Sequence, residues 1–219
     1  MRRHSFPEKA FLLAACQLLL AALIVGCEKK EIKNLNAQGK NIICFGDSIT
    51  FGYGANPGED YPSLLAKMID IPVINAGIDG DTSTEGLKRV KSDVLDRDPL
   101  LVIIAFGGND FLRRIPCEVT ANNIREMIDK VQAGGAMVAI ADISASVLLT
   151  EYRKAFYNVA QEKSAIYIPS IFSGIITNPN LKSDFIHPNS DGYKMIAQRV
   201  YRAIRPYLNQ NRLITRFKK

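Results

Sequence analysis

The chain has 219 residues, 47% of them hydrophobic and 23% charged, with 28 Lys and Arg against 22 Asp and Glu. So apolar and so nearly charge-balanced a sequence falls outside the disordered class, and its length suits one domain around one core. The formal charge of +6 falls to +4 without the first 26 residues, which hold three cations and one anion; the body lacks the basic face with interleaved aromatics that a nucleic-acid partner requires.

Arg2, Arg3 and Lys9 precede an apolar stretch from Ala10 to Val25, the layout of a secretory leader. That stretch of 16 residues is shorter than the roughly 20 a spanning helix needs, which disfavours a retained transmembrane anchor. Its end, Leu23-Ile24-Val25-Gly26-Cys27, resembles the lipobox of bacterial lipoproteins. The resemblance implies that residues 1–26 are a removed signal peptide and that Cys27 is lipidated. The chain would then sit on a cell-envelope membrane, at its periplasmic or extracytoplasmic face; secretion without lipid is the alternative. The polar, lysine-rich run from Glu28 to Lys40 has no apolar periodicity, so residues 27–40 read as a tether reaching up to roughly 40 Å when extended. Such a leash would let a site reach either the lipid surface or soluble substrate.

Beyond the tether, short apolar runs alternate with longer helical patterns. The runs are Asn41 to Phe45, Pro72 to Asn75, Leu100 to Phe106, Ala136 to Ala141 and Ala165 to Ile168. Continuous rather than alternating apolarity suits strands buried on both faces of a parallel sheet. Helices are predicted over Tyr61 to Ile69, Ser83 to Asp96, Glu118 to Ala133, Leu149 to Lys163 and Ser190 to Leu208. Thr82-Ser83-Thr84-Glu85 has the form of a capping box, and Gly134-Gly135 closes the third helix. The expected fold is α/β, a three-layer α/β/α flavodoxin-like sandwich with a five-stranded parallel sheet spanning 41–209. A basic tail, 210–219, follows with Arg212, Arg216, Lys218 and Lys219 and no acid. It reads as a solvated end, with contact to anionic headgroups as the alternative.

Cys16 leaves with the leader, and Cys44 and Cys117 have no paired spacing. They read as free thiols rather than a disulfide, and no metal site is expected.

Ligands of open parallel sheets bind at the carboxyl ends of the strands, and four polar segments fall there. Gly46-Asp47-Ser48-Ile49-Thr50 turns the first strand toward a short helix, placing a serine near free N–H groups; Asp and Ser are equally ordinary turn residues. Asn75-Ala76-Gly77-Ile78-Asp79-Gly80-Asp81-Thr82 ends the second strand with glycines that can present backbone N–H to an oxyanion or simply turn the chain. Gly107-Gly108-Asn109-Asp110 follows the third, where Asn109 has an amide N–H to offer; the same residues make a good plain loop. Asp184-Phe185-Ile186-His187-Pro188 holds the only histidine outside the leader. A three-residue offset lets Asp184 meet Nδ1 of His187 and leave Nε2 for a nucleophile, against the bland reading of a surface loop histidine.

Together, in this order, the four segments resemble the SGNH hydrolases, also called the GDSL family, over Asn41 to Leu208. The similarity is closest to the bacterial thioesterase I, lysophospholipase and arylesterase group. It implies Ser48 as nucleophile, His187 as base and then acid, and Asp184 as the residue that orients it. The implied oxyanion donors are the backbone N–H of Ser48, the backbone N–H of Gly80, with Gly77 as rival, and the side chain of Asn109. No cofactor or metal is implied. Phe111 and Ile186 are candidates for an apolar substrate surface, among Phe51, Tyr53, Leu112 and Phe185. The expected activity is hydrolysis of short to medium acyl esters, with thioesters or lysophospholipids as related substrates and no obligatory protein partner. The alternatives are a carbohydrate acetylesterase, disfavoured by the absence of tryptophan, and a non-catalytic binding lipoprotein of the envelope.

Overall fold

The computed structural model describes residues 31–144 and 149–211. The expected signal peptide, Cys27 and most of the basic tail lie outside the described residues. Five parallel strands form one sheet in the order β2-β1-β3-β4-β5: β1 (Asn41–Gly46), β2 (Val73–Gly77), β3 (Pro99–Ala105), β4 (Met137–Ala141) and β5 (Ile166–Ile168). The central strands are apolar throughout because both faces are covered, with Ile42 to Phe45 and Leu101 to Val138 partners fully buried. The expected three-layer α/β/α sandwich is what forms.

The longer helices match the periodic segments to within a few residues: α2 (Tyr61–Ala66), α3 (Ser83–Asp93), α5 (Cys117–Ala133), α6 (Thr150–Glu162) and α7 (Ser190–Gln210). Two short helices, α1 (Ser48–Phe51) and α4 (Gly108–Leu112), stand directly after β1 and β3. Helices α3, α5 and α6 pack in a row on one face of the sheet, and α2 packs with α7 on the other. The capping box forms, with Thr82 N–H donating to Glu85 and Thr84 N–H to the Thr82 hydroxyl. At the end of α5 the chain turns through Gly135 at φ 87°, a left-handed conformation that suits glycine.

Two boundaries differ from the sequence expectation. The tether assigned to 27–40 is not a free leash over 31–40: this strap crosses the amino ends of three strands before entering β1. Lys33 N–H donates to Ser164 O at 2.9 Å, and Asn34 Nδ2 donates to Gln132 O and Ala136 O at 2.9 and 3.0 Å. Lys40 N–H donates to Asp98 O at 3.0 Å, and Ala37 is buried with Ile32 and Leu35 packed beside it. Three apolar side chains in ten residues are too few to register as periodicity, yet they cover the bottom of the core. The domain also runs past 209, because Asn211 is fully buried and its Nδ2 donates to Ala37 O at 3.0 Å.

Candidate active site

Ser48 sits on the first turn of α1, immediately after β1. The Asp47 side chain caps that turn by accepting from Ile49 N–H at 3.1 Å, and Gly52 ends it at φ 96°. Close backbone approach explains the neighbouring glycines. A Cβ on Gly46 would lie 2.5 Å from Ala105 O, and one on Gly77 would lie 2.1 Å from Phe51 N. Burial pushes the Asp47 carboxyl up to about 7, opposed by the bond from Ile49 and reinforced by the nearby Asp110.

The His187 loop lies between β5 and α7. Ser183 N–H donates to His187 O at 3.0 Å, closing the loop, while Asp184 Oδ1 accepts from the N–H groups of Ile186 and His187 at 2.9 and 2.8 Å. Its other oxygen accepts from His187 Nδ1 at 2.7 Å, which leaves Nε2 facing Ser48 Oγ at 3.1 Å. Burial opposes the Asp184 charge, but the bonds from the His187 ring and the two backbone N–H groups prevail and hold the carboxyl at about 2. The structure thus brings together Ser48, His187 and Asp184, residues 139 positions apart at the extremes of the hydroxyl–imidazole bond. A hydroxyl, imidazole and carboxylate joined in this order can move a proton from Oγ to Nε2. Tyr53, grouped with the apolar candidates from sequence, instead packs on the imidazole with ring centroids 4.4 Å apart.

The glycine loop after β2 is held from several sides. Gly80 adopts φ 82°, an added Cβ there would meet Arg113 Nη2 at 3.9 Å, and its carbonyl accepts from the same nitrogen at 2.8 Å. Gly77 N–H is engaged by Asn75 Oδ1 at 2.9 Å, which argues against its rival claim as a donor. Asn109 lies on α4 rather than in a plain loop. Its Nδ2 donates to Asp81 O at 2.9 Å, which fixes the amide and leaves the second of its two N–H groups for another acceptor. Asp110, beside it and fully buried, accepts from Ser83 N–H, Ser83 Oγ and Thr120 Oγ1 at 2.9, 2.5 and 2.9 Å. Sequence reading gave that residue no part.

A cleft of about 230 Å³ opens beside these groups, and Ser48, Asn109 and His187 are among the residues that line it. Phe111 and Ile186 line it, joined by Ile143, Leu149, Phe172 and Ile176 from the segments after β4 and β5. Those four were not foreseen, because they stand apart from the polar motifs and read as ordinary core. Cys44 and Cys117 are both free, and burial pushes the Cys44 thiol up to about 12, far from a reactive thiolate.

Comparison with known proteins agrees with this architecture. Residues 44–195 match the model of the GDSL-like Lipase/Acylhydrolase family. The chain is 30% identical over 200 residues to Esterase TesA of Pseudomonas aeruginosa, covering 86% of this chain and 99% of that protein. It is 28% identical over 183 residues to Thioesterase 1/protease 1/lysophospholipase L1 of Escherichia coli strain K12, covering 80% and 88%. Among solved structures, the crystal structure of TesA superposes with a TM-score of 0.72 at 27% identity, covering 77% of this chain and 99% of that one. On this match, which spans the sheet and all four polar segments, the chain belongs to the GDSL-like lipase/acylhydrolase family, the SGNH hydrolases, and is an ester-hydrolysing enzyme.

Proposed function

We propose that the chain is a serine esterase that cleaves short to medium acyl esters through an acyl-enzyme, with Ser48, His187 and Asp184 as its triad. The observation that carries this reading is the unbroken line from Ser48 Oγ through His187 to Asp184, with Ser48 and His187 in the wall of a largely apolar cleft. Ser48 Oγ attacks the ester carbonyl while its proton passes to His187 Nε2. The leaving alcohol takes that proton as the C–O bond breaks. Water, deprotonated by the same nitrogen, then releases the acid and restores Ser48. The backbone N–H groups of Ser48 and Gly80 and the free amide N–H of Asn109 serve as oxyanion donors. The scheme uses neither metal nor organic cofactor.

The cleft wall favours an acyl chain over a sugar: eight of its residues are large and apolar, and burial is worth about 0.8 kcal/mol per methylene. The same chemistry extends to thioesters and lysophospholipids. We further propose that Cys27 carries a lipid that anchors the enzyme at the extracytoplasmic face of an envelope membrane. The test is hydrolysis of p-nitrophenyl esters from acetyl to palmitoyl, with Ser48→Ala as control and a fluorophosphonate to label the serine. A Ser48-dependent optimum at butyryl or longer is expected. Activity confined to acetyl would favour polysaccharide deacetylation, and a chain with neither turnover nor labelling would be a binding lipoprotein.

A further inference from the structure

The anchor and the site leave the domain at opposite poles. The strap binds the amino ends of β3, β4 and β5 through Lys40, Asn34 and Lys33, whereas Ser48 and Asn109 follow the carboxyl ends of β1 and β3. Helix α7 serves as a ruler between the poles. Its N-cap, Asn189, is two residues from His187, and its far end, Asn211, is bonded to Ala37 in the strap. Its 21 residues span roughly 31 Å at 1.5 Å each.

Docking of the strap also shortens the leash. Glu31 lies four positions after Cys27, a reach of at most about 14 Å. A domain of this size has a radius of gyration of about 16 Å, so a path half way around its surface is on the order of 60 Å. The leash cannot cover that path. The sequence beyond Asn211, which starts from the strap's pole, carries Arg212, Arg216, Lys218 and Lys219 and no acid. Cations are drawn to an anionic leaflet, so this segment favours the same pole facing the membrane.

The opposite pole has its own signature. Among the described residues, seven of the nine exposed large hydrophobics are Phe51, Tyr53, Ile78, Phe111, Leu112, Phe185 and Ile186, all in the segments that carry the site. Phe185 is 92% exposed. An apolar rim of this kind meets amphiphilic ligands.

We infer that the site faces away from the membrane that anchors the chain, and that its substrates are amphiphilic esters arriving from the aqueous side, not acyl lipids of the anchoring bilayer. This rests on the esterase reading and on lipidation of Cys27. The test uses the full lipidated chain in vesicles of phosphatidylcholine and phosphatidylglycerol, alone and with a flexible Gly-Ser insert of about 30 residues between Lys30 and Glu31, whose mean reach is roughly 30 Å and whose contour is far longer. The probes are dissolved p-nitrophenyl butyrate and a two-chain phospholipid bearing a fluorogenic butyrate ester on its headgroup, placed in the enzyme's own vesicles. Both forms are expected to hydrolyse the dissolved ester equally, and the extended form to hydrolyse the bilayer ester at least about tenfold faster. Equal rates on the bilayer ester would overturn the inference, as would failure of the chain to float with the vesicles. Loss of the dissolved-ester activity in both forms would instead strike the esterase reading.

Discussion

Two carboxylates one turn from the reacting atoms have opposite environments, and each makes a prediction. Asp184 accepts three N–H groups and stays ionised down to about 2. In Asp184→Asn the Oδ1 contacts to the loop survive, but the amide nitrogen would face Nδ1 of His187 and favour the wrong tautomer. Turnover should fall by about 10⁴ with little change in melting temperature. A loss below tenfold would mean that the ring is oriented by something else. Asp47 is buried with one backbone donor, and its carboxyl sits at about 7 instead of the usual carboxylate range. The folded state therefore binds a proton that the unfolded chain releases near pH 4. Stability should decline as pH rises from about 4 to 7 and level off above, by on the order of a few kcal/mol. Asn at this position keeps the cap and cannot ionise. Urea midpoints of Asp47→Asn should change less between pH 5 and pH 8 than those of the parent; an equal change would rule out Asp47 as the source.

At the scale of elements, α3 does more than cover the sheet. Arg89 reaches from its middle over the ends of two strands, donating to Gly46 O and Ala76 O at 2.9 Å each and to Asp81 Oδ2 at 2.7 Å. The guanidinium lies 4.5 Å from the centre of the Phe45 ring. One side chain thus ties the residue two before Ser48 to the residue after Gly80. Arg89→Met keeps the apolar stem and removes four charge-assisted hydrogen bonds, those to Gly46 O, Ala76 O, Asp81 and Asp93. It should cost about 3 kcal/mol of stability, since breaking a mostly buried pair leaves the partner uncompensated. A kcat loss exceeding the KM change should accompany it as the Gly80 loop loosens. Thermal unfolding and steady-state kinetics on the same sample check both; an unaltered kcat would confine Arg89 to stability.

For the whole molecule, the strap matters more than its polarity suggests. A chain beginning at Glu31 keeps every described contact of the strap and should melt like the longer one. A chain beginning at Asn41 loses Ala37, Ile32 and Leu35 from the core and removes the strap's N–H groups from the carbonyls of Gln132, Ala136 and Ser164. On the order of 3 kcal/mol of stability should go with them. Equal melting of the two truncations would show that the strap is merely laid on the surface.

The sequence by itself determined the layering and the chemical cast. Buried parallel strands read as unbroken apolar runs because both faces are covered, and Gly-Asp-Ser, Gly-Gly-Asn-Asp and Asp-Phe-Ile-His stand out because reactive side chains collect at turns. The helix boundaries came within a few residues because caps such as Thr82 and Gly135 are local signals. What local signals cannot carry is meeting across the chain. The 3.1 Å approach of Ser48 to His187, the cleft wall of Ile143, Leu149, Phe172 and Ile176, and the grip of Arg89 on two strand ends depend on which segments the sheet order makes neighbours. The strap shows the same division. Its composition is that of a linker, and only the carbonyls exposed at the foot of β4 and β5 give Asn34 and Lys33 something to bind, so tertiary packing decides at which end of the sheet the strap, and Glu31 at its start, lies.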